Sequence, residues 1–280
     1  MTLIADSGST KTTWMVVETG EKVVTEGLNP HFTGDDAFLA ACRSVFENFQ
    51  FSTFNFQLYF YGAGCGDAAQ RARVKRLLGE AFGTKASHVE TDMLGACRAV
   101  CGERPGLVGI LGTGSNACYY DGKEIAERLV STGYILGDHG SANHVGRLLL
   151  QDYLAKVMPE HARALFYEAY PFADEDFIEA VYHRPNANRF LASLAKFAAL
   201  HLADDYCHTV VEASLRQWYH YQVDALHRRT GCGVLHLVGG FAVRVSDVVN
   251  TVVEAHGLKV GRVVADPIEG LRQYHRGKEN

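Results

Sequence analysis

The stretch richest in possible chemistry lies at the start of the chain. Leu3-Ile4-Ala5-Asp6 is an apolar run ending on an acid, and Ser7-Gly8-Ser9-Thr10-Lys11-Thr12-Thr13 follows before a second apolar run, Trp14-Met15-Val16-Val17. Two strands joined by a tight polar turn are the natural reading. Gly8 lets a ligand approach the backbone, and successive turn N–H groups form an anion-binding concavity. Ser7, Ser9, Thr10 and Thr12 add hydroxyls, and Asp6 at the strand end is placed to hold a cation directly or through water. Acid, glycine and hydroxyls together suit a magnesium-bound nucleotide triphosphate, although an ordinary capped hairpin turn uses the same residue types.

Four further stretches carry candidate chemistry. Asp92 follows His88-Val89-Glu90-Thr91 where a short strand feeds a helix. By residue type it reads first as a helix N-cap, and alternatively as a general base at the carboxyl end of a strand, where open α/β sheets place ligands. Val108-Gly109-Ile110-Leu111-Gly112-Thr113-Gly114-Ser115-Asn116-Ala117 resembles the opening hairpin, with Gly114 matched to Gly8, Ser115 to Ser9, Asn116 to Thr10 and Gly112 to Asp6. Such a match implies an internal duplication with one glycine-rich turn opening each half, and two such turns facing each other could clamp a triphosphate. Gly137-Asp138-His139-Gly140-Ser141 is a second acid in a glycine-rich turn, and Gly239-Gly240 ends an apolar strand. The P-loop pattern GxxxxGK[ST] is absent.

The elements that must position these groups alternate in type. Helices are predicted over 35–49, from the 62–66 glycine turn through about Phe82, and from Met93 to Cys101. Beyond Ser141 a helix runs toward Pro159, and others cover about 161–169, 174–182, 188–203, 207–229 and Val245 to Ala255, with a short one after Pro267. Strands are predicted over Phe54 to Tyr61, 233–238 and Leu258 to Val264. Gly27-Leu28-Asn29-Pro30-His31-Phe32 is a Pro-broken loop whose polar groups could bond a ligand. Gly62-Ala63-Gly64-Cys65-Gly66 imitates a dinucleotide fingerprint on a middle strand, so it reads as a loop where backbone must come close to something, with a dinucleotide site as the weaker alternative. Gly102 to Gly106 is a domain junction.

Composition bounds the rest. The chain has 280 residues, 47% of them hydrophobic and 21% charged, enough for a normal buried core. A net charge of −5 without clustered Lys and Arg argues against a nucleic-acid surface, Arg71 to Arg76 being only a short basic helix face. Seven cysteines without paired CxxC spacing fit reduced thiols, and Cys97 with Cys101 are too few ligands for zinc. No apolar run reaches membrane length and no leader pattern opens the chain, so a cytoplasmic, membrane-free protein is expected.

Five segments stand in a recognisable order: ADSGSTKT at 5–12, TDMLGACRA at 91–99, LGTGSNA at 111–117, GDHGSA at 137–142 and VGGFA at 238–242. Together they resemble the BadF/BadG/BcrA/BcrD-type ATPases, and among them the N-acetylglucosamine kinases, over nearly the whole chain. That resemblance implies an α/β fold of two ribonuclease-H-like domains, the actin-like ATPase fold, with residues 1–103 plus 266–280 in one domain, 104–265 in the other, and ATP in the cleft between. It implies that Asp6 holds Mg²⁺ through water and that Gly8, Thr10, Lys11 and Thr12 line the β- and γ-phosphates. Gly112, Thr113, Gly114 and Ser115 would hold phosphates from the other side, and Gly239 and Gly240 would contact adenosine. Asp92 would be the general base on the sugar hydroxyl. Asn29, Asn116, Gly133 and Asp138 would bind the sugar.

Two departures leave the sugar open. His139 stands where these kinases usually have Glu, and Val130-Ser131-Thr132-Gly133 replaces a Gly-Gly-Trp-Gly stretch; both lie where the sugar's amide would sit. The expected function is transfer of the γ-phosphoryl group of ATP to an amino sugar, N-acetylglucosamine first, with glucosamine or another amino sugar as the alternative. A BadF/BadG-type ATPase activating a partner enzyme is the other reading, against which stands the lack of a cysteine pair in an obvious cluster loop. A homodimer is left open.

Overall fold

The computed structural model describes residues 1–49, 56–85 and 87–277. Phe54 and Asn55, where the third predicted strand begins, lie outside the described residues. The chain forms two units, one of residues 1–104, 122–124 and 266–280 and the other of residues 105–121 and 125–265.

Unit 1 is built on a five-stranded sheet of order β3-β2-β1-β4-β5. Its strands are β1 (Thr2–Ser7), β2 (Lys11–Val16), β3 (Lys22–Glu26), β4 (Gln57–Gly62) and β5 (Ser87–Thr91). β2 runs antiparallel to β1 and to β3, while β4 is parallel to β1 and to β5. Helices α1 (Asp35–Phe49) and α2 (Ala68–Phe82) cover one face, and α3 (Asp92–Cys101) and α13 (Ile268–Arg276) the other. The period-2 pleat sorts the side chains. Leu3 and Ala5 join Trp14, Phe60 and Phe82 in the core under α1 and α2. Ile4 and Met15 turn the other way, onto Ala99 of α3 and Ile268 and Leu271 of α13. Asp6 has the parity of Ile4, so it belongs to the α3/α13 face.

Unit 2 repeats that topology as β8-β7-β6-β9-β10, from β6 (Gly106–Leu111), β7 (Ser115–Tyr120), β8 (Ile125–Arg128), β9 (Val234–Val238) and β10 (Lys259–Val264). Between β8 and β9 the chain inserts α4 (Gly133–Leu136), α5 (Ala142–Leu154), α6 (Glu160–Ala169), α7 (Asp174–Tyr182), α8 (Ala187–Leu200), α9 (Asp205–Trp218) and α10 (Asp224–Thr230). Helices α11 (Gly240–Arg244) and α12 (Ser246–Glu254) connect β9 to β10. Trp218, Leu235, Leu237 and the apolar stripes of α5, α8 and α9 share one core.

Some expectations shift. Strands β3 and β8 were not legible; each is a short sheet edge whose residues alternate between exposed and half-buried. The helix predicted over 207–229 is interrupted by a π-turn, Tyr219–Val223. The duplication stands at the level of topology, but the hairpins align differently from the sequence match. Ser7 pairs with Thr12 and Leu111 with Ser115 as the last rungs of their ladders. Gly8 is therefore the counterpart of Gly112, not Gly114, and Asp6 that of Ile110. The second turn is also one residue shorter, which is why matching glycines by type slipped the register.

Candidate active site

In unit 1 the polar turn is tied down from below. Leu28 N–H donates to Ser7 Oγ (3.1 Å), Ser7 Oγ lies 2.8 Å from Thr12 Oγ1, and Thr12 Oγ1 donates to the Glu26 carbonyl (3.0 Å). This relay, with Gly27 N–H donating to the Thr10 carbonyl, fixes the 27–33 loop against the turn. Gly8 N–H donates to the Lys11 carbonyl at 2.9 Å, which closes the bend over Ser9 and Thr10. Gly8, Thr10 and Lys11 lie in that bend, whereas Thr12 is fully buried with its hydroxyl committed inside the sheet. Thr12 thus holds the turn in place.

Asp6 is the one half-exposed residue of β1, directly opposite Thr13 in the hairpin register. Burial raises its pKa well above the ordinary carboxylate value, and the neighbouring Asp266 and Asp92 carboxylates raise it further, with Lys11 opposing. Asp266 is a residue that the sequence did not single out. It accepts from Lys11 Nζ (2.6 Å) and Thr13 Oγ1 (3.1 Å), and its other oxygen accepts from Ile268 N–H at the start of α13. The pattern of an acid after a strand and before Pro267 was the available signal.

Asp92 is the first residue of α3. The cap is Thr91, whose hydroxyl accepts from Leu94 N–H, so the N-cap reading of Asp92 is corrected by one position. Asp92 Oδ1 accepts from Met93 N–H at 2.8 Å, and burial raises its pKa. One strand, β4, separates β1 from β5. At the usual strand spacing β1 and β5 therefore run roughly 10 Å apart, and Asp92 follows two residues past Glu90, which the register brings level with Asp6. Asn29 is buried in the 27–33 loop, where its Oδ1 accepts from His31 N–H at 3.0 Å. What the 62–66 glycine turn approaches is this same residue, since a Cβ on Gly64 would lie 2.3 Å from Asn29 Oδ1.

The burial of Asp6 beside two other acids has a measurable consequence. A carboxyl whose folded pKa is raised contributes stability below its unfolded pKa, near ~3.9, and loses it as pH rises through the folded value. Asp6→Asn removes that loss. In thermal melts without nucleotide or metal, the variant melts higher than the parent near neutral pH, and the two melting curves converge as pH falls toward the ordinary carboxylate pKa.

In unit 2 the turn Gly112–Gly114 is bound to the start of α5. Ala142 N–H donates to the Gly112 carbonyl (3.0 Å) and Asn143 N–H to the Thr113 carbonyl (3.1 Å). Asn143 Nδ2 also reaches the Thr113 carbonyl (2.7 Å) and Asp138 Oδ2 (2.9 Å), and Ser115 N–H donates to Asp138 Oδ1 (3.2 Å). Asp138 takes a left-handed backbone, φ 52°, which an aspartate tolerates better than most residues. A Cβ on Gly114 would meet its carboxylate at 2.8 Å. Burial raises the Asp138 pKa; the Asn143 and Ser115 donors work against that rise.

A cavity of about 390 Å³ opens beside this carboxylate, with Asn116, Val130, Leu136, His139, Tyr221 and Gln222 among its walls. His139 stacks on Tyr221 (centroids 4.6 Å apart, 25° between planes) and packs edge-on against His144. His144 is buried and its Nδ1 lies 2.7 Å from Ser214 Oγ; burial pulls its pKa down to about 4, so it is neutral. Gly133 opens α4 with φ 71° and open space at its α-carbon. Gly239 has a conformational reason for its identity: φ is 134°, and a Cβ would lie 2.2 Å from the Leu111 carbonyl oxygen. Gly240 beside it faces open space. Tyr221, Gln222 and Asn143 escaped the sequence reading, the first two because nothing in the periodicity announces a π-turn.

Two units of strand order 3-2-1-4-5, each with a glycine-rich turn between its first two strands, define the two-lobed actin-like ATPase fold that sugar kinases share. The comparison with solved structures agrees. A candidate N-acetylglucosamine kinase from Porphyromonas gingivalis superposes with a TM-score of 0.93 at 36% identity, over 100% of both chains. The chain belongs to the family of that protein. A candidate N-acetylglucosamine kinase from Chromobacterium violaceum (TM-score 0.71, 17% identity, 98% of both chains) has the same fold. So does a ROK-family glucokinase from Streptomyces griseus, solved with glucose and AMPPNP (0.57, 15%, 100% of this chain and 99% of that one). No family model matches the chain, and no curated protein does.

Proposed function

We propose that this protein is an ATP-dependent sugar kinase acting on an amino sugar, N-acetylglucosamine first, and that it falls within the wider BadF/BadG/BcrA/BcrD group of cytoplasmic ATPases. One arrangement carries the reading: two half-buried carboxylates, Asp6 near the carboxyl end of β1 and Asp92 just past that of β5, lie on strands separated by β4 alone, roughly 10 Å across the sheet. That spacing leaves room for a phosphoryl group between a cation-holding acid and a base. Kinship with the Porphyromonas gingivalis protein supports it.

Gly8, Thr10 and Lys11 would take the phosphates through turn N–H groups and one cation. Asp92 would accept the proton of the sugar hydroxyl as its oxygen bonds to the γ-phosphorus and the bond to the β,γ-bridging oxygen breaks. In unit 2, Thr113, Gly114 and Ser115 would contribute phosphate contacts, Gly239 and Gly240 the adenosine contact, and Asn116 and Asp138 the sugar contacts, with Asn29 and Gly133. Phosphoryl transfer asks mainly for such positioning and charge stabilisation.

The donor set fits water-mediated magnesium. Among the described residues no group of three or more His, Cys, Asp or Glu could hold a metal. Mg²⁺ commonly keeps several waters and uses one or two carboxylates with the phosphates themselves, and Asp6 is a half-buried carboxylate whose pKa its acidic neighbours Asp266 and Asp92 raise. When bound, the ion would neutralise charge on the phosphate oxygens. Incubation of the chain with ATP, Mg²⁺ and N-acetylglucosamine, glucosamine or glucose tests the proposal. ADP release is expected to rise well above the sugar-free rate with an amino sugar, with a sugar phosphate visible by ³¹P NMR. ATP hydrolysis indifferent to every sugar would refute it.

A further inference from the structure

The cavity in unit 2 has an aromatic wall that the fold holds in place and leaves open. Tyr221 is the middle residue of the π-turn Tyr219–Val223, whose end residues Tyr219 and Val223 are both buried. The turn is thus anchored on either side, and Tyr221 is carried outward as one of the residues lining the cavity. Such turns recur at functional sites, where they aim a side chain that regular helical geometry would place elsewhere. One face of the Tyr221 ring is backed by His139, with centroids 4.6 Å apart and 25° between planes, and His139 is backed edge-on by the buried His144. His144 is fixed in turn, its Nδ1 2.7 Å from Ser214 Oγ. His220 meets the Tyr221 ring at a steep angle, 73° between planes, and does not cover it: Tyr221 stays 56% exposed. A large aromatic side chain that is supported from behind and open in front offers apolar surface to a ligand.

Asp138 and Asn116 line the same cavity. Each Asp138 oxygen takes one donor, Ser115 N–H on Oδ1 and Asn143 Nδ2 on Oδ2, so each keeps a lone pair to offer. Asn116 Oδ1 accepts from Ala117 N–H, and among the described residues nothing bonds its Nδ2. The cavity therefore combines an aromatic face with an acceptor and a donor. A pyranose has the matching surface: C–H bonds on its faces and hydroxyls around its rim, each able to donate and to accept. Adenine would stack on the same ring, but it brings one amino group where a sugar brings several O–H groups. We propose that Tyr221 is a sugar-binding residue, its open ring the platform for the C–H face of the acceptor pyranose, with Asp138 and Asn116 taking the rim hydroxyls. The proposal rests on the sugar-kinase reading above.

The test titrates the full chain with N-acetylglucosamine and, separately, with a non-hydrolysable ATP analogue, by calorimetry and by proton NMR of the sugar. A ring current from a stacked tyrosine moves the pyranose C–H resonances upfield, a signature that a purely structural residue does not give. Tyr221→Leu keeps apolar bulk and removes the aromatic face. It should abolish the upfield shift, weaken the sugar about 10-fold, the size of one good aromatic contact, and leave the ATP analogue within about twofold. Tyr221→Phe keeps the ring and should match the parent in both sugar affinity and shift. If Tyr221→Leu leaves sugar affinity unchanged, or weakens the ATP analogue instead, the platform is not the sugar's and the proposal falls while the kinase reading stands. If Tyr221→Phe loses as much as Tyr221→Leu, the ring face is not what binds and the proposal falls likewise. If the parent chain binds no amino sugar, both fall together.

Discussion

Asp92→Asn retains ATP binding within about twofold and loses roughly 10²–10⁴-fold in phosphoryl transfer, the range that a positioned general base contributes. The substitution is nearly isosteric. Its amide oxygen can still accept from Met93 N–H, and Thr91 still caps α3, so helix and sheet are undisturbed. What disappears is the capacity to accept a proton. The pH dependence gives the same residue a second signature. Burial raises the Asp92 pKa, and the base works only when ionised. The rate should therefore fall as pH drops through a value above the ordinary carboxylate range, and the variant's residual rate should lack that acid limb. Equilibrium titration with a non-hydrolysable ATP analogue, followed by single-turnover kinetics across pH, checks both parts. Unchanged turnover in Asp92→Asn would remove the base assignment outright.

Gly146→Ala destabilises unit 2 by at least about 3 kcal/mol, the upper part of the range for overpacking. In most helices alanine improves on glycine by up to ~1 kcal/mol, so the sign here is set by tertiary contact. Helices α5 and α8 cross with backbone against backbone, and a Cβ on Gly146 would fall 1.8 Å from the Leu191 carbonyl oxygen and 2.7 Å from its carbonyl carbon. Neither atom belongs to a flexible side chain, so the helices must separate. The melting temperature should drop by roughly 6–12 °C. Hydrogen exchange should localise the loss to α5 and α8 while β1, β4 and β5 keep their protection. Gly79→Ala in α2 is the control: its Cβ would meet the Thr84 carbonyl at an unstrained 3.4 Å, and stability should hold or rise. Loosened α5 also carries away Asn143, which holds Asp138 and the Gly112–Gly114 turn.

Much of the architecture could be read from local pattern because local physics decides it. The apolar run Leu3-Ile4-Ala5 ending on Asp6 reads as a strand, and the fifteen-residue helix α1 carries its apolar stripe at Phe38, Leu39, Cys42 and Val45. Hydroxyls and glycines between apolar runs had to be turns. The duplication was visible as two such turns, but its register was not, since hydrogen-bond ladders align strands by pairing and not by residue type. The one-position error at Thr91 and Asp92 has a similar origin: both residues are good caps, and which one caps depends on where the strand ladder stops.

Residue types and spacing by themselves determined an α/β chain with two glycine-rich turns, an acid closing the first strand and a second acid opening a helix, and with it the expectation of phosphate chemistry. Only tertiary structure decided the partners. It brought Asp266 from the far end of the chain onto Lys11 and Thr13, drew the Thr12 hydroxyl into the sheet, and turned Tyr221 and Gln222 into the Asp138 cavity through a break in helical geometry. The physical reason is separation along the chain: Lys11 and Asp266, or Ser115 and Gln222, meet through packed sheets and helices, and no local propensity encodes a contact made at that distance.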